Sequence, residues 1–125
     1  MNFKSYVHRR IFNEAVRTRK NTDKEYLAVL FLLTSQRTMW NRIKFFVQKD
    51  SIRFDDFPVA GCSSEEYTLL LCAKDIFFDT RNVSLSDLAD STHISKETFG
   101  LIVSALEIAR YGMDITKSMK GTEKK

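Results

Sequence analysis

The sequence predicts an all-α protein: a single compact domain of about six helices over residues 1–112, followed by a flexible basic tail over residues 113–125. Three observations carry this expectation. Apolar residues recur at helical spacing along most of the chain. Ser or Thr followed three residues later by Glu or Asp marks several helix starts. With one proline and four glycines in 125 residues, the breakers that turn-rich β folds need are scarce. Ten phenylalanines and 43% hydrophobic residues are enough for one core, and at this length a second domain is not expected.

Phe3, Val7, Ile11 and Ala15 recur every four residues, which predicts a first helix from about Ser5 to Arg19 with that stripe inward. Thr22-Asp23-Lys24-Glu25 reads as a capping box that opens a second helix near Asp23. Tyr26, Leu27 and Val29 to Leu33 make this helix apolar nearly all round, as a helix at the centre of a small core must be. A third segment, Arg37 to Gln48, turns Met39, Ile43, Phe46 and Val47 inward, with Trp40 at its edge. Asp50 to Gly61, broken by Pro58 and Gly61, reads as a connecting loop with a short extended piece at Ser51 to Phe54.

Ser63-Ser64-Glu65-Glu66 is a second capping box, opening a helix that runs through Ile76 and Phe77. Ser84-Leu85-Ser86-Asp87 starts a short one. The last helix begins after Ser95, carries Phe99, Ile102, Val103, Leu106 and Ala109, and ends at Gly112 as a C-cap.

Charge is segregated along the chain. Residues 1–53 hold 12 Lys and Arg against 4 Asp and Glu, residues 54–112 hold 4 against 10, and the tail holds 4 against 2. The three parts therefore carry +8, −6 and +2, within a total of +4. Arg9, Arg10, Arg17 and Lys20 share about a third of the first helical wheel, away from the apolar stripe. Arg37 and Lys44 align with Asn41 on the third helix. Such a basic face can hold phosphates, since arginine offers a planar fork of donors matched to phosphate oxygens. It can equally grip an acidic protein, or the acidic half of a second copy in a homodimer.

Residues Ser84 to Ile108 have the outline of a helix-turn-helix. Ile94 plugs the corner, and Ser95, Lys96 and Thr98 stand where a recognition helix would meet DNA. The surroundings are acidic, with Asp87, Asp90, Glu97 and Glu107 against Lys96 and Arg110, which opposes approach to a phosphate backbone.

Chemistry is the function class the sequence supports least. No nucleophile stands beside a base, and no Gly-rich phosphate loop is present. His8 and His93 are isolated and read as surface or capping residues, so neither a metal nor a cofactor is expected. Asp55-Asp56 and Glu65-Glu66 read as structural acids, and Cys62 and Cys72 as reduced structural thiols. The longest apolar run, Leu27 to Leu33, is far short of the roughly 20 residues of a membrane span, and the N-terminus lacks a signal peptide's apolar region. A cytoplasmic protein with no membrane partner is expected.

The pattern Phe3-x-Ser5-x-x-His8-x-x-x-Phe12, with the Tyr26 to Leu33 helix, the Thr38 to Phe46 segment and Ser86-Asp87-Leu88, resembles an uncharacterised family of short proteins. Its members are encoded by phages, plasmids and other mobile elements of Gram-positive bacteria. The resemblance spans most of residues 3–108 and departs at Ala89 to Ile94, the helix-turn-helix corner. It implies a mobile-element accessory protein, inside a bacterial host cell, that acts by binding and supplies no catalytic residues. Two targets then compete. One is a nucleic acid or nucleoprotein of a host defence system such as CRISPR-Cas, engaged through the basic face or mimicked by the acidic half. The other is operator DNA, read by the C-terminal helix pair as in a transcriptional regulator.

Overall fold

A computed structural model describes residues 3–113; beyond Met113, the expected basic tail lies outside the described residues. The described chain is helical, with α1 (Tyr6–Arg19), α2 (Lys24–Thr34), α3 (Arg37–Ile43), α4 (Ser64–Phe78), α5 (Leu85–Ala89) and α6 (Lys96–Tyr111). Among the described residues, the one extended pairing is an isolated antiparallel bridge between Val47 and Ile52. It falls on the segment where a short extended piece is expected, and a 3-10 turn at Phe54–Asp56 follows it.

Every residue of α2 from Tyr26 to Thr34 is buried. An all-apolar helix is stable in water only when covered on every side, and α1, α4 and α6 cover this one, all running opposite to it. His8 of α1 meets the Phe31 carbonyl near the end of α2. The Tyr26 ring near its start meets Phe77 at the end of α4. The first residues of α6 lie by the end of α2, where the Lys4 ammonium reaches both Glu97 and the Ser35 carbonyl. Gly112, at the far end of α6, lies against the Lys24 side chain at the start of α2.

Helix starts follow local chemistry. Ser5 caps α1, and complete capping boxes form at Ser63 with Glu66 and at Ser84 with Asp87. The box expected at Thr22 does not form. Asn21 Oδ1 takes the Asp23 amide instead, and Asp23 becomes the N-cap without a side-chain cap bond. Gly112 ends α6 with a positive φ of 76°, and its amide donates to the Ile108 carbonyl at 2.7 Å.

Three expectations about helix faces are corrected. On α1 the core side is His8, Phe12, Ala15 and Val16, while Val7 is exposed and Ile11 half-buried. The stripe is rotated by about one residue, or ~100°, because His8, expected at the surface, is 2% exposed and bonded inside. On α6 the core takes Thr98, Leu101, Ile102, Ser104, Ala105 and Ile108, leaving Phe99, Val103 and Leu106 exposed. Trp40, expected at the edge of its helix, is buried. α3 also stops at Ile43, and a 3-10 turn, Lys44–Phe46, carries the chain to Val47.

Candidate nucleic-acid interface

α1 and α3 both pack on α2, and between them runs an open groove of about 450 Å³. Arg10 and Glu14 enter it from α1; Arg37, Asn41 and Lys44, at helical spacing, enter from α3 and the turn that follows it. Trp40 forms part of its lining, with the Arg19 guanidinium 4.9 Å from the ring centre. Arg19 Nε donates to the Val47 carbonyl at 3.1 Å and Nη2 to the Lys44 carbonyl at 3.0 Å. These bonds tie the end of α1 to the turn after α3 and set the groove's width at that end. Burial lowers the Arg19 pKa, opposed by the Tyr26 hydroxyl, yet an arginine stays charged. Four cations thus face one carboxylate, Glu14.

The structure brings Arg10, Arg37 and Lys44 together and disperses the rest of the expected basic face. Arg17 and Lys20 are exposed but lie outside the groove, Lys20 as the left-handed C-cap of α1. Arg9 is about 100° round the helix from Arg10, with its guanidinium 5.9 Å from the Phe3 ring centre. Among the described residues, no hydrogen bond or ion pair engages the side chains of Arg10 or Arg37, which leaves them free for a ligand. Arg19 and Trp40 were not legible as site residues, because their contact joins segments far apart in sequence and leaves no local pattern.

The acidic half is largely engaged in holding itself together. Burial raises the pKa of the Glu66 carboxyl, but bonds from the Thr38 hydroxyl and the Ser63 amide and side chain outweigh it and hold it low. Asp75 is likewise pushed up by burial and brought down further by Asn82, Thr80 and Val83. Asp87 and Asp90 are lowered mainly by hydrogen bonds from Ser84 and from Thr92. Asp55 pairs with Lys74 and Asp56 with Arg53. Few of these carboxylates stand free to imitate a phosphate array.

Around the helix-turn-helix outline, Ile94 is buried at the corner as expected. Ser95 is the N-cap of α6 and accepts from the Thr98 amide, and Thr98 is 2% exposed with its hydroxyl on Ser95. Of the three residues this reading offers to DNA, Lys96 alone presents an exposed side chain not engaged in capping. α6 packs chiefly on α2 and α4, and α5 has only five residues.

Among the described residues, no group of three or more His, Cys, Asp or Glu could hold a metal ion, and no helix is long and apolar enough to cross a membrane. Burial, with a contribution from Asp75, pushes the Cys72 thiol up to about 12 and keeps it protonated. Comparison with protein-family models, with curated proteins and with solved structures finds no match to this chain.

Proposed function

We propose that this protein is a non-enzymatic binding protein whose α1–α3 groove engages the phosphate backbone of a nucleic acid, free or within a nucleoprotein. The observation that carries this reading is the convergence of Arg10, Arg37 and Lys44, from separate elements, on one groove in which Arg10 and Arg37 have no internal partner among the described residues. Cations left unpaired side by side repel one another, an arrangement that gains most from an anionic ligand. The resemblance to short mobile-element proteins supports a setting in which the ligand belongs to the bacterial host. There a protein of this kind obstructs a defence nucleoprotein such as a CRISPR effector, whose guide RNA and basic channels are open to competition.

The test is a titration of the protein against duplex DNA, single-stranded DNA and structured RNA at several salt concentrations. Three phosphate contacts give a slope of log K against log salt of roughly −2 to −3. Replacing Arg10, Arg37 and Lys44 together by Glu should lower affinity by about 100-fold or more while circular dichroism stays unchanged. Undiminished binding by that folded variant sinks the proposal. A loss produced instead by Lys96→Glu moves the interface to the C-terminal helix pair and favours a transcriptional regulator.

A further inference from the structure

Phe45 is 70% exposed, while its neighbour Phe46 packs edge-on against Phe57 at 5.6 Å. The 3-10 turn explains the division. With three residues per turn, successive side chains point about 120° apart, so Lys44 enters the groove, Phe46 turns to the core and Phe45 is left outside. An exposed phenylalanine forgoes the gain from taking its ring out of water. The Lys44 ammonium lies over this ring, 5.4 Å from its centre. A groove cation and a largely exposed aromatic ring therefore stand side by side at the end of the groove fixed by Arg19.

A second exposed aromatic, on α1, lies outside the groove lining. Tyr6 is 53% exposed at the start of α1, and by helical spacing it lies on the same face as Arg10 and Arg17. Phe45 is therefore the exposed aromatic that stands beside the groove's cations, next to Lys44. Base faces inside a duplex are covered by their neighbours. Only an unpaired base has a face free to stack on a side chain, and stacking on aromatics beside a basic track is how single strands are held without sequence reading.

Building on the phosphate-binding role proposed for this groove, we infer that its ligand is a single-stranded nucleic acid, with one base stacked on Phe45 while Lys44, Arg37 and Arg10 follow the backbone. DNA and RNA share this chemistry, and the test separates them.

Fluorescence anisotropy of the full chain with labelled oligothymidylate, oligouridylate and a mixed-sequence duplex of equal length reads the preference directly. Both single strands, or one of them, should bind at least tenfold more tightly than the duplex, and the tighter of the two identifies the sugar. Phe45→Ala should weaken single-strand binding by about 5- to 140-fold, the range for one base stacked on an aromatic ring, and leave duplex binding unchanged. Phe45→Tyr should restore it. Because Phe45 lies outside the core, both variants keep the wild-type fold, which circular dichroism verifies. Equal or tighter duplex binding, or an equal effect of Phe45→Ala on all three ligands, overturns the single-strand inference and leaves the groove as a phosphate site. Failure of the wild type to bind any of the three removes the phosphate-binding proposal together with this one.

Discussion

The ring of His8 is held from two sides. Nδ1 accepts from the Lys4 amide at 2.9 Å, which fixes the proton on Nε2, and Nε2 donates to the Phe31 carbonyl at 2.8 Å. Phe3 and Phe31 enclose it. Burial lowers its pKa to about 4; the Phe31 carbonyl opposes that and the Lys4 charge adds to it. In the unfolded chain the same group titrates near 6.5. Between these values the unfolded state holds the extra proton, so stability grows as pH rises from about 4 to 6.5 and is flat above. Acidification across that window should therefore cost about 3 kcal/mol through His8 alone. Urea unfolding at both ends of the window measures it, and His8→Gln, which keeps a donor for Phe31 but cannot titrate, should flatten that part of the profile. A profile unchanged by the substitution would show that His8 is not the titrating group. Nothing in the sequence announced this histidine: periodicity ranks histidine as polar, and only the carbonyl and amide that meet it make its burial tolerable.

At the scale of the helix, local chemistry was legible and the choice of face was not. The boxes at Ser63 and Ser84 are complete within four residues, so their helix starts could be read directly; at Thr22 a competing side chain one position earlier, Asn21, decided otherwise. α6 is apolar on two sides, Leu101, Ile102, Ala105 and Ile108 on one and Phe99, Val103 and Leu106 on the other. Periodicity cannot choose between such faces. The surface of α2 and α4 chooses the first, and it admits Thr98 and Ser104 because a small hydroxyl occupies little space and can be hydrogen-bonded there. The same held at the basic site: the alignment of Arg37 with Lys44 is a property of one continuous segment, α3 and the turn that follows it, whereas their meeting with Arg10 depends on how that segment packs beside α1. Gly100 lies in the interior of α6 with nothing within 4 Å of where a Cβ would stand. Gly100→Ala should therefore raise stability by about 1 kcal/mol, the difference in helix propensity, seen as a higher urea midpoint. A loss would mean that another surface lies against that face.

Over the whole molecule, α2 is the common partner of four other helices, since α1, α3, α4 and α6 all pack on it. Leu30, fully buried at its middle, has no exposed side toward which neighbours could relax. Leu30→Ala should cost about 3–5 kcal/mol, the upper part of the range for core truncations, and should lower the unfolding midpoint equally for Trp40 fluorescence and for far-UV circular dichroism. Midpoints that separate would instead divide the bundle into independently melting parts.

The complete enclosure of α2 also bears on the protein's synthesis. α6, which packs on it along its length, is the last of the described helices to leave the ribosome. At roughly 5–20 residues per second, the most apolar segment of the chain spends several seconds outside the ribosome with α1, α3 and then α4, but not α6, to shield it. Native closure must wait until translation has passed α6, and any ribosome that stalls before it leaves a nascent chain suited to chaperones or to aggregation.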